Sequence, residues 1–546
     1  MKTTKLLVIL VLVGAVVLIW FSSAEAAEAK VVTAKETTAE HALVRKVREL
    51  ELSVLADKIR GGLAGQMVGV SYGAPTEFHA LGKIYDKEIK WEPGMVSNSL
   101  NQDDLYVEMT FAEVMDRIGL GATTQQYGQA FGDSKYQLWH ANAGARRNLN
   151  NGIKAPMSGH PKYNMHANDI DFQIEADFIG LMTPGMPQQM LELCDRVGHV
   201  MNYGDGVYGG MFVCGMYCEA YFETDVGKVV KAGEECLPEG SGYRAIIEDV
   251  IAVYQKYPDD WKQCWRIINE KWDKHDSCPD GALAPFNIDA RLNGAYIVIG
   301  MLYGEGDFAK TLEISTRCGQ DSDCNPASAG GVLGVMYGYK ALDEKWIGGI
   351  ADIADTKFRF TEYSMNDFVA STQKRVLQAV RLSGGEVKQD RIVIRRQKPV
   401  PTKLEQWSMG IPNKRIACDD KAWAWTGQWQ ERKVRSGWQS IIVMTSNKGG
   451  NEAVLEFTGS AIAVIGQLSH AGGMADVYID GAKTGQTNSY IIPNTFDNNL
   501  WHTFGLDDGP HTLRIVTLDK ADPRSEGRRI AIQRAIVFRD PRSLAG

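Results

Sequence analysis

Two acidic residues, Asp321 and Asp323, lie one residue apart directly before the small-residue run 326–331. Carboxylate oxygens that point to one place are the ligands that Mg²⁺ or Ca²⁺ requires. The small residues that follow predict a helix slim enough to be packed inside the protein. The sequence therefore predicts a cation site that is held at the start of a buried helix.

An EF-hand loop is the first alternative, because Asp321, Asp323 and Asn325 would occupy its first, third and fifth positions. That loop requires glycine at its sixth position and glutamate at its twelfth. The chain has Pro326 and Val332 at those positions. The EF-hand is therefore excluded.

A second acidic pair, Asp103 and Asp104, opens an amphipathic stretch that predicts a helix. Aspartates at a helix start also act as caps, since they accept hydrogen bonds from free backbone N–H groups and suit the helix dipole. Taken alone, the pair is better explained by capping. Together with Asp321 and Asp323, the better account is that four carboxylates converge on one metal centre.

A glycine-rich segment, residues 60–73, precedes Glu77. Its glycine and alanine residues predict a helix that packs tightly against a neighbour. A nucleotide-binding loop is a poor alternative, because no strand precedes the glycines and no GxGxxG pattern occurs. Glu77 follows the end of the packed helix, which makes it a candidate member of the site.

The composition is that of an ordinary globular protein, with 44% apolar and 23% charged residues. A chain of 546 residues predicts more than one domain. The net charge of −8, without a block of Lys or Arg, argues against nucleic acid as a partner. Nine cysteines without a CxxC pair do not predict a disulfide scaffold, although one or two bonds among Cys236, Cys264 and Cys278 are left open.

The N-terminus has the features of an export signal. Lys2 and Lys5 precede an apolar run at residues 6–21, and an A-x-A cleavage pattern follows. We expect residues 1–26 to be a signal peptide and the protein to be secreted or periplasmic. An uncleaved membrane anchor is the alternative, because the apolar run approaches the ~20 residues that a membrane span needs.

Helical periodicity dominates residues 45–385, which predicts an all-α domain without βαβ alternation. The predicted helices are residues 105–118, 170–181, 187–200, 209–222, 243–257, 261–274, 290–303 and 327–342. Residues 386–406 change character and predict a linker that begins with a short strand.

Beyond residue 406 the hydrophobic period switches to two. Strands are predicted at residues 453–457, 461–465, 475–479, 511–518 and 529–538, with glycine-rich turns between them. Residues 407–546 are therefore predicted to form an all-β sandwich of a jelly-roll-like type.

Three ordered blocks resemble the ADP-ribosylglycohydrolase family over residues 55–385. They are the segment 60–77, the pair Asp103–Asp104 and the segment 319–324, with weaker support from residues 152–159, 170–174 and 205–210. The resemblance implies an all-α fold around a central, usually dinuclear, Mg²⁺ site. It also implies hydrolysis of the glycosidic bond of ADP-ribose adducts.

Carried over by position, the resemblance implies that Asp103, Asp104, Asp321 and Asp323 bind one or two Mg²⁺ ions, with Mn²⁺ and Ca²⁺ as alternatives. Glu77, Asp104 and Asp323 are the implied catalytic residues. The resemblance also implies that four residues further along the chain bind the substrate: His199, Asp205, Gly206 and Tyr208.

Three positions depart from the family's pattern. Gln102 stands where the family often has Thr or Ser, Cys324 where it often has Thr, and Val70 where it usually has Asp. A thiol is a poor ligand for a hard cation. The sequence therefore leaves the number of metal ions open.

These observations predict a metal-dependent hydrolase in which water attacks the anomeric carbon of an N- or O-glycoside. A nearby carboxylate would act as general base, and two carboxylates without metal are the mechanistic alternative. Because an exported protein rarely meets ADP-ribosylated cytosolic targets, the expected substrate is an extracellular glycan or glycoconjugate. A hydrolase of true ADP-ribosyl adducts and a catalytically inactive glycan-binding scaffold are the alternative functions.

The C-terminal region resembles galactose-binding-like sandwiches attached to secreted carbohydrate-active enzymes. Exposed aromatic rings would stack on sugars there, although tryptophans in a sandwich are more often part of the core. The aromatic residues in question are Trp423, Trp425, Trp429, Trp438, Tyr490 and Trp501.

Overall fold

The computed structural model describes residues 46–275, 278–436 and 439–544. The predicted signal peptide or membrane anchor, residues 1–26, lies outside these ranges. Within the described part of the chain, no helix has both the length and the apolar character that crossing a bilayer needs. The described chain forms a helical domain followed by an all-β region, which confirms the predicted fold class.

The helical domain begins with one strand and continues with helices. The helices are α1 (Leu52–Gly73), α2 (Asp103–Ile118), α3 (Thr124–Asp133), α4 (His140–Asn150), α5 (Asp171–Ile174), α6 (Asp177–Leu181), α7 (Pro187–Gly198), α8 (Asp205–Ala220), α9 (Val226–Glu235), α10 (Gly242–Lys256), α11 (Trp261–Trp272), α12 (Ala290–Gly304), α13 (Phe308–Arg317), α14 (Cys324–Tyr337), α15 (Glu344–Ile347) and α16 (Met365–Leu382). Short 3₁₀ helices at Ala74–Thr76 and Pro93–Asn101 lie between α1 and α2.

One predicted helix, residues 170–181, is divided into α5 and α6. Side chains from other segments accept hydrogen bonds from backbone N–H groups at the starts of both helices. Phe172 N donates to Asn202 Oδ1 (3.0 Å), and Phe178 N donates to Glu108 Oε2 (2.9 Å). The prediction of a continuous helix was wrong because these tertiary contacts cap two short helices instead.

Helices α1 and α14 pack backbone to backbone at the centre of the domain. Four glycines recur every fourth residue along one face of α1, at positions 61, 65, 69 and 73. A side chain at any of them would overlap, in the same order, the backbone of Gly334, Gly330, Pro326 or Ser322. Because residues four apart lie on one helix face, this spacing makes one continuous seam between the antiparallel helices. The seam ends at the predicted acidic site.

Helix α14 and two further helices, α8 and α12, are buried on nearly every face. Their sequences are apolar all round, which is the pattern of a core helix rather than an amphipathic surface helix. The short helices α5 and α6 and the second half of α1 are buried with them. The nine cysteines of the chain are buried and form no disulfide bond.

A small antiparallel sheet closes the helical domain. Strand β1 (Val47–Glu51) pairs with β3 (Arg391–Arg395), which also pairs with β2 (Glu386–Val387). Ile392 and Ile394 of β3 are buried in the helical core. The first part of the predicted linker therefore completes the helical domain, and residues 396–410 continue from it to the β-rich region.

The β-rich region is a sandwich of two antiparallel sheets. Its strands are β4 (Ile411–Ala417), β5 (Trp423–Thr426), β6 (Gln430–Ser436), β7 (Gln439–Ser446), β8 (Glu452–Gly459), β9 (Ala461–Leu468), β10 (Gly473–Ile479), β11 (Ala482–Asn488), β12 (Thr495–Thr503), β13 (Gly509–Ala521) and β14 (Ile530–Arg539). One sheet has the order β11-β10-β13-β8-β5, and the other has the order β12-β9-β14-β7-β6 with β4 paired to β14. Apolar side chains of both sheets form the core between them, and Trp423 is part of it.

The sandwich packs against the helical domain through a separate apolar cluster. Met165 and Ala282 of the helical domain are buried there against Met409 and residues of β9 and β14. Arg147 Nη1 donates to the Asn499 carbonyl oxygen across 2.7 Å. The two domains therefore share an apolar and hydrogen-bonded contact.

Candidate active site

The residues after α1 are joined to the segment that carries Asp321 and Asp323. Phe78 N donates to the Gln320 carbonyl oxygen across 3.1 Å, and the hydroxyls of Thr76 and Ser322 lie 2.7 Å apart. Glu77 lies between Thr76 and Phe78 in the chain. It is therefore held against the segment that carries the second acidic pair.

The backbone at this junction is strained. Phe78 (φ 53°) and Gln320 (φ 54°) both have left-handed conformations, which are unfavourable for residues with a Cβ. Such a conformation costs about 1–3 kcal/mol and persists only where surrounding contacts enforce it. Here the hydrogen bond between the two residues provides that contact.

The first acidic pair meets the second at the starts of two helices. Asp103 and Asp104 lie in the first turn of α2, whose N-cap is Gln102, and the Asp104 side chain is buried. Cys324 Sγ, at the start of α14, donates to Asp104 Oδ2 across 3.4 Å and lies 3.7 Å from Asp323 Oδ1. The structure thus brings acidic residues more than 200 positions apart into one place.

Ligand atoms of the second acidic pair are close enough to share an ion. One carboxylate oxygen each from Asp321 and Asp323, together with Cys324 Sγ, all lie within 4.8 Å of one another. Asp323 also accepts a hydrogen bond from Cys324 N (3.0 Å), which fixes its carboxylate at the start of α14. We call Glu77, Asp103, Asp104, Asp321 and Asp323 the acidic centre.

Burial raises the pKa of every carboxyl group in the acidic centre, and repulsion between neighbours adds to this effect. For Asp104 the repelling charges are Asp103 and Asp323, and burial together with Glu77 and Asp104 raises the pKa of Asp321 to about 8. The Glu77 side chain has exposed surface area, but protein atoms surround it densely. The loss of hydration therefore raises its pKa, and the negative charges of Asp323 and Asp103 raise it further. The charges that raise the pKa values of Glu77, Asp104 and Asp321 thus belong to other members of the acidic centre.

This arrangement fits a hard divalent cation. Asp104 Oδ1 and Asp321 Oδ1 are buried and have no hydrogen-bond partner among the residues that the structure describes. An unpaired buried carboxylate oxygen is costly unless a cation compensates it. The donor atoms are carboxylate oxygens, as Mg²⁺ prefers, and Cys324 approaches Asp104 as a hydrogen-bond donor. Metal binding by Asp103, Asp104, Asp321 and Asp323 stays a prediction.

A further carboxylate, Glu175, lies beside the acidic centre and was missed at the sequence level. It is fully buried, accepts a short hydrogen bond from Asn142 Nδ2, and its pKa is raised by burial and then by Asp171, Asp103 and Asp104. Glu175 directly follows the block 170–174 that supported the family resemblance. Its position directly after that block was the sequence signal by which Glu175 could have been found.

Aromatic rings border the acidic centre next to Asp103 and Asp104. Tyr106 packs against Tyr136, with 4.9 Å between ring centroids, and against Phe360, with 5.4 Å. Phe360 is 51% exposed. An exposed ring beside a polar centre is suited to stacking on a ligand.

The four predicted substrate-binding residues lie around the linker that leads to the sandwich. His199 Nε2 is 3.0 Å from Glu405 Oε2, and Tyr208 Oη accepts a hydrogen bond from Glu405 N across 2.7 Å. Asp205 accepts from Tyr243 N (2.9 Å), and no room for a side chain exists at Gly206. These contacts join parts of the protein to one another, so they are explained without a substrate. A role of the four residues in substrate binding stays a prediction.

Comparison with known proteins identifies the family of the helical domain. Residues 51–379 match the family model described as ADP-ribosylglycohydrolase. Because this match spans more than half of the chain, the protein belongs to the ADP-ribosylglycohydrolase family. A solved structure described as an ADP-ribosylglycohydrolase-related protein complex is 14% identical, with a TM-score of 0.41, over 60% of this chain and 99% of that chain.

Other likenesses are partial. A stretch of 97 residues is 34% identical to an A type blood N-acetyl-alpha-D-galactosamine deacetylase of Flavonifractor plautii. It spans 18% of this chain and 12% of that enzyme. A two-domain esterase active on acetylated mannans aligns over 32% of this chain and 45% of its own, at 12% identity and a TM-score of 0.20.

Proposed function

We propose that the protein is an exported, metal-dependent glycoside hydrolase that cleaves an N- or O-glycosidic bond in an extracellular glycan or glycoconjugate. The observation that carries the proposal is the meeting of Glu77, Asp103–Asp104 and Asp321–Asp323 in one acidic centre with unpaired buried oxygens. Membership of the ADP-ribosylglycohydrolase family supports hydrolysis at an anomeric carbon.

The acidic centre supplies the groups that this reaction needs. A bound Mg²⁺ held by Asp103, Asp104, Asp321 and Asp323 would supply Lewis-acid polarisation of sugar oxygens. Glu77 is the member of the centre that is exposed, so it can accept a proton from an attacking water. The buried aspartates stay fixed at the starts of α2 and α14, which keeps the reacting groups in place without reorganisation.

Two further features support a carbohydrate substrate. Phe360 offers an exposed ring next to Tyr106 at the border of the acidic centre. The match to a deacetylase that acts on a blood-group N-acetylgalactosamine supports a carbohydrate ligand for part of this chain. The export proposal rests on residues 1–26 of the sequence.

Cys324 favours a second candidate function, a catalytically inactive glycan-binding protein. The thiol lies inside the acidic centre, 3.4 Å from Asp104 Oδ2. It offers a soft donor where a hard cation prefers oxygen. If this weakens one metal position enough to stop hydrolysis, the protein would bind glycans without cleaving them.

The test combines metal binding with a substrate panel. Calorimetry with Mg²⁺, Mn²⁺ and Ca²⁺ compares the wild type, the double variant Asp321→Asn/Asp323→Asn and the control Asp352→Asn, whose carboxylate is exposed. Hydrolysis is then measured on aryl glycosides, ADP-ribose adducts and N-acetylgalactosamine-containing glycans. We expect the double variant alone to lose metal binding and hydrolysis. Metal binding that survives in it contradicts the proposed centre, and cleavage restricted to ADP-ribose adducts contradicts the glycan substrate.

A further inference from the structure

A second cluster of metal-ligating side chains lies in the helical domain. It contains His140, His166, Asp169 and Cys278, none of which is part of the acidic centre. Asp169 and Cys278 are buried, and the two histidine side chains are only 18% and 15% exposed. We call these four residues the histidine–cysteine cluster.

The four donor atoms of this cluster all lie within 4.8 Å of one another. His140 Nδ1 lies 3.8 Å from Asp169 Oδ2 and 3.9 Å from Cys278 Sγ, and His166 Nδ1 lies 3.6 Å from the same sulfur. Tetrahedral zinc bonds of about 2.0–2.3 Å place neighbouring ligand atoms roughly 3.3–3.7 Å apart. The three separations are therefore close to those of a zinc site.

The separation between His166 and Asp169 shows which atoms must move when a metal ion binds. His166 Nδ1 and Asp169 Oδ2 are 2.7 Å apart, which is a hydrogen bond. A metal ion would replace the proton between these two atoms and move them apart by about 0.6 Å. Each of the four groups offers one donor atom of its own, and these atoms are close enough to share one ion.

We propose that the histidine–cysteine cluster is a transition-metal site of the zinc class, chemically distinct from the acidic centre. Two imidazole nitrogens, one thiolate and one carboxylate form a donor set that suits Zn²⁺ and does not suit Mg²⁺. The proposal stands independently of the hydrolase function, since it shares no residue with the acidic centre.

The location of the cluster indicates a structural role at the contact between the two domains. Cys278 directly precedes Pro279 and Asp280, whose carbonyl oxygens accept hydrogen bonds from Arg415 of the sandwich (3.3 and 3.1 Å). On another segment, His166 follows Met165, which is buried in the apolar cluster between the domains. A metal ion that joins these segments would fix the surface on which the sandwich docks.

The experiment uses the full-length protein and two measurements. The zinc content is determined by elemental analysis after purification without added metal. The metal-free protein is then titrated with Co²⁺, because a cobalt–thiolate bond gives a charge-transfer band and tetrahedral cobalt gives strong visible bands. We expect about one zinc per chain and both cobalt signals, with zinc affinity lowered at least tenfold in Cys278→Ser.

Matched variants separate this site from the acidic centre, which has Cys324 as a neighbour. Cys324→Ser should retain the cobalt–thiolate band, and Cys278→Ser should lose it. His140→Gln provides a second disruption that keeps the thiol, and circular dichroism verifies that each variant is folded. A substoichiometric zinc content together with the absence of a thiolate band overturns the proposal. A band that survives Cys278→Ser and is lost in Cys324→Ser overturns it as well.

Discussion

Gly73, the last residue of α1, lies directly against Asp323, because a side chain at Gly73 would overlap the Ser322 carbonyl and the Asp323 Cα. The same close approach repeats at every fourth residue back along α1. The position of the second acidic pair is therefore set by a backbone contact rather than by long side chains. Glu77 follows this contact within four residues of the chain.

The glycine seam should be intolerant of even a methyl group. A Cβ at Gly65 would overlap the Gly330 carbonyl group, and backbone cannot move aside as a flexible side chain can. We expect Gly65→Ala to lower the free energy of unfolding by about 3 kcal/mol. Gly121→Ala is the control, since an added methyl group there contacts nothing. Thermal unfolding of both variants checks this, and equal melting temperatures would contradict the seam.

Asp323→Asn should have opposite effects on stability with and without metal. In the presence of a chelator, the change removes one of five mutually repelling carboxylates, so we expect a gain on the order of 1 kcal/mol. With saturating Mg²⁺ the wild type should be the more stable protein, because a ligand that binds only the folded state stabilises it. Melting curves in EDTA and in Mg²⁺ test this crossover. The same order of stability under both conditions would argue against a metal centre.

Phe360 should contribute to substrate binding more than to folding. Its ring is exposed beside Tyr106, and stacking is worth about 0.5–1.5 kcal/mol. On a substrate that the protein cleaves, we expect Phe360→Ala to raise KM about 3- to 10-fold with little change in kcat. Leu382→Ala, which removes another exposed apolar side chain, serves as the control. A Phe360→Ala enzyme with unchanged KM would exclude this ring from the substrate site.

The ion pair between His199 and Glu405 should make stability depend on pH. Burial lowers the pKa of His199, but the hydrogen bonds and charges of Glu405 and Asp195 together outweigh it, so the pKa lies above its ordinary value of 6.5. Burial likewise raises the pKa of Glu405, but His199 together with the Gly204 N–H and His160 outweighs burial, so the pKa lies below its ordinary value of 4.5. The pair links the helical domain to the linker before the sandwich.

The signs of these two shifts define the pH window. The His199 contribution is fully present below pH 6.5 and is lost as the pH rises through its raised pKa. The Glu405 contribution is fully present above pH 4.5 and is lost as the pH falls through its lowered pKa. We expect Glu405→Gln to lower the melting temperature at pH 5.5 by about 2 °C, with the difference disappearing near pH 9. A difference that grows towards pH 9 would contradict this prediction.

The sequence could predict the fold class and the acidic centre because both are recorded in local patterns. Helical and strand periods are visible within windows of roughly 5–20 residues. Acidic residues directly before an apolar helical pattern can likewise be recognised from the neighbouring residues. The glycines of α1 recur at a helical spacing, so close packing was readable before its partner was known. The division of residues 170–181 was not readable, since Asn202 and Glu108 cap the two helices from elsewhere in the chain.

The histidine–cysteine cluster shows what only the tertiary structure decides. Cys278 is separated from His166 by 112 residues and from His140 by 138, so no motif spacing joins them. His199 likewise meets Glu405 from 206 positions away. The sequence by itself determined which residues are acidic, apolar or small in each element. Which distant side chains share a point depends on how whole helices and loops pack, and for His140, His166 and Cys278 no periodic signal in the chain records that packing.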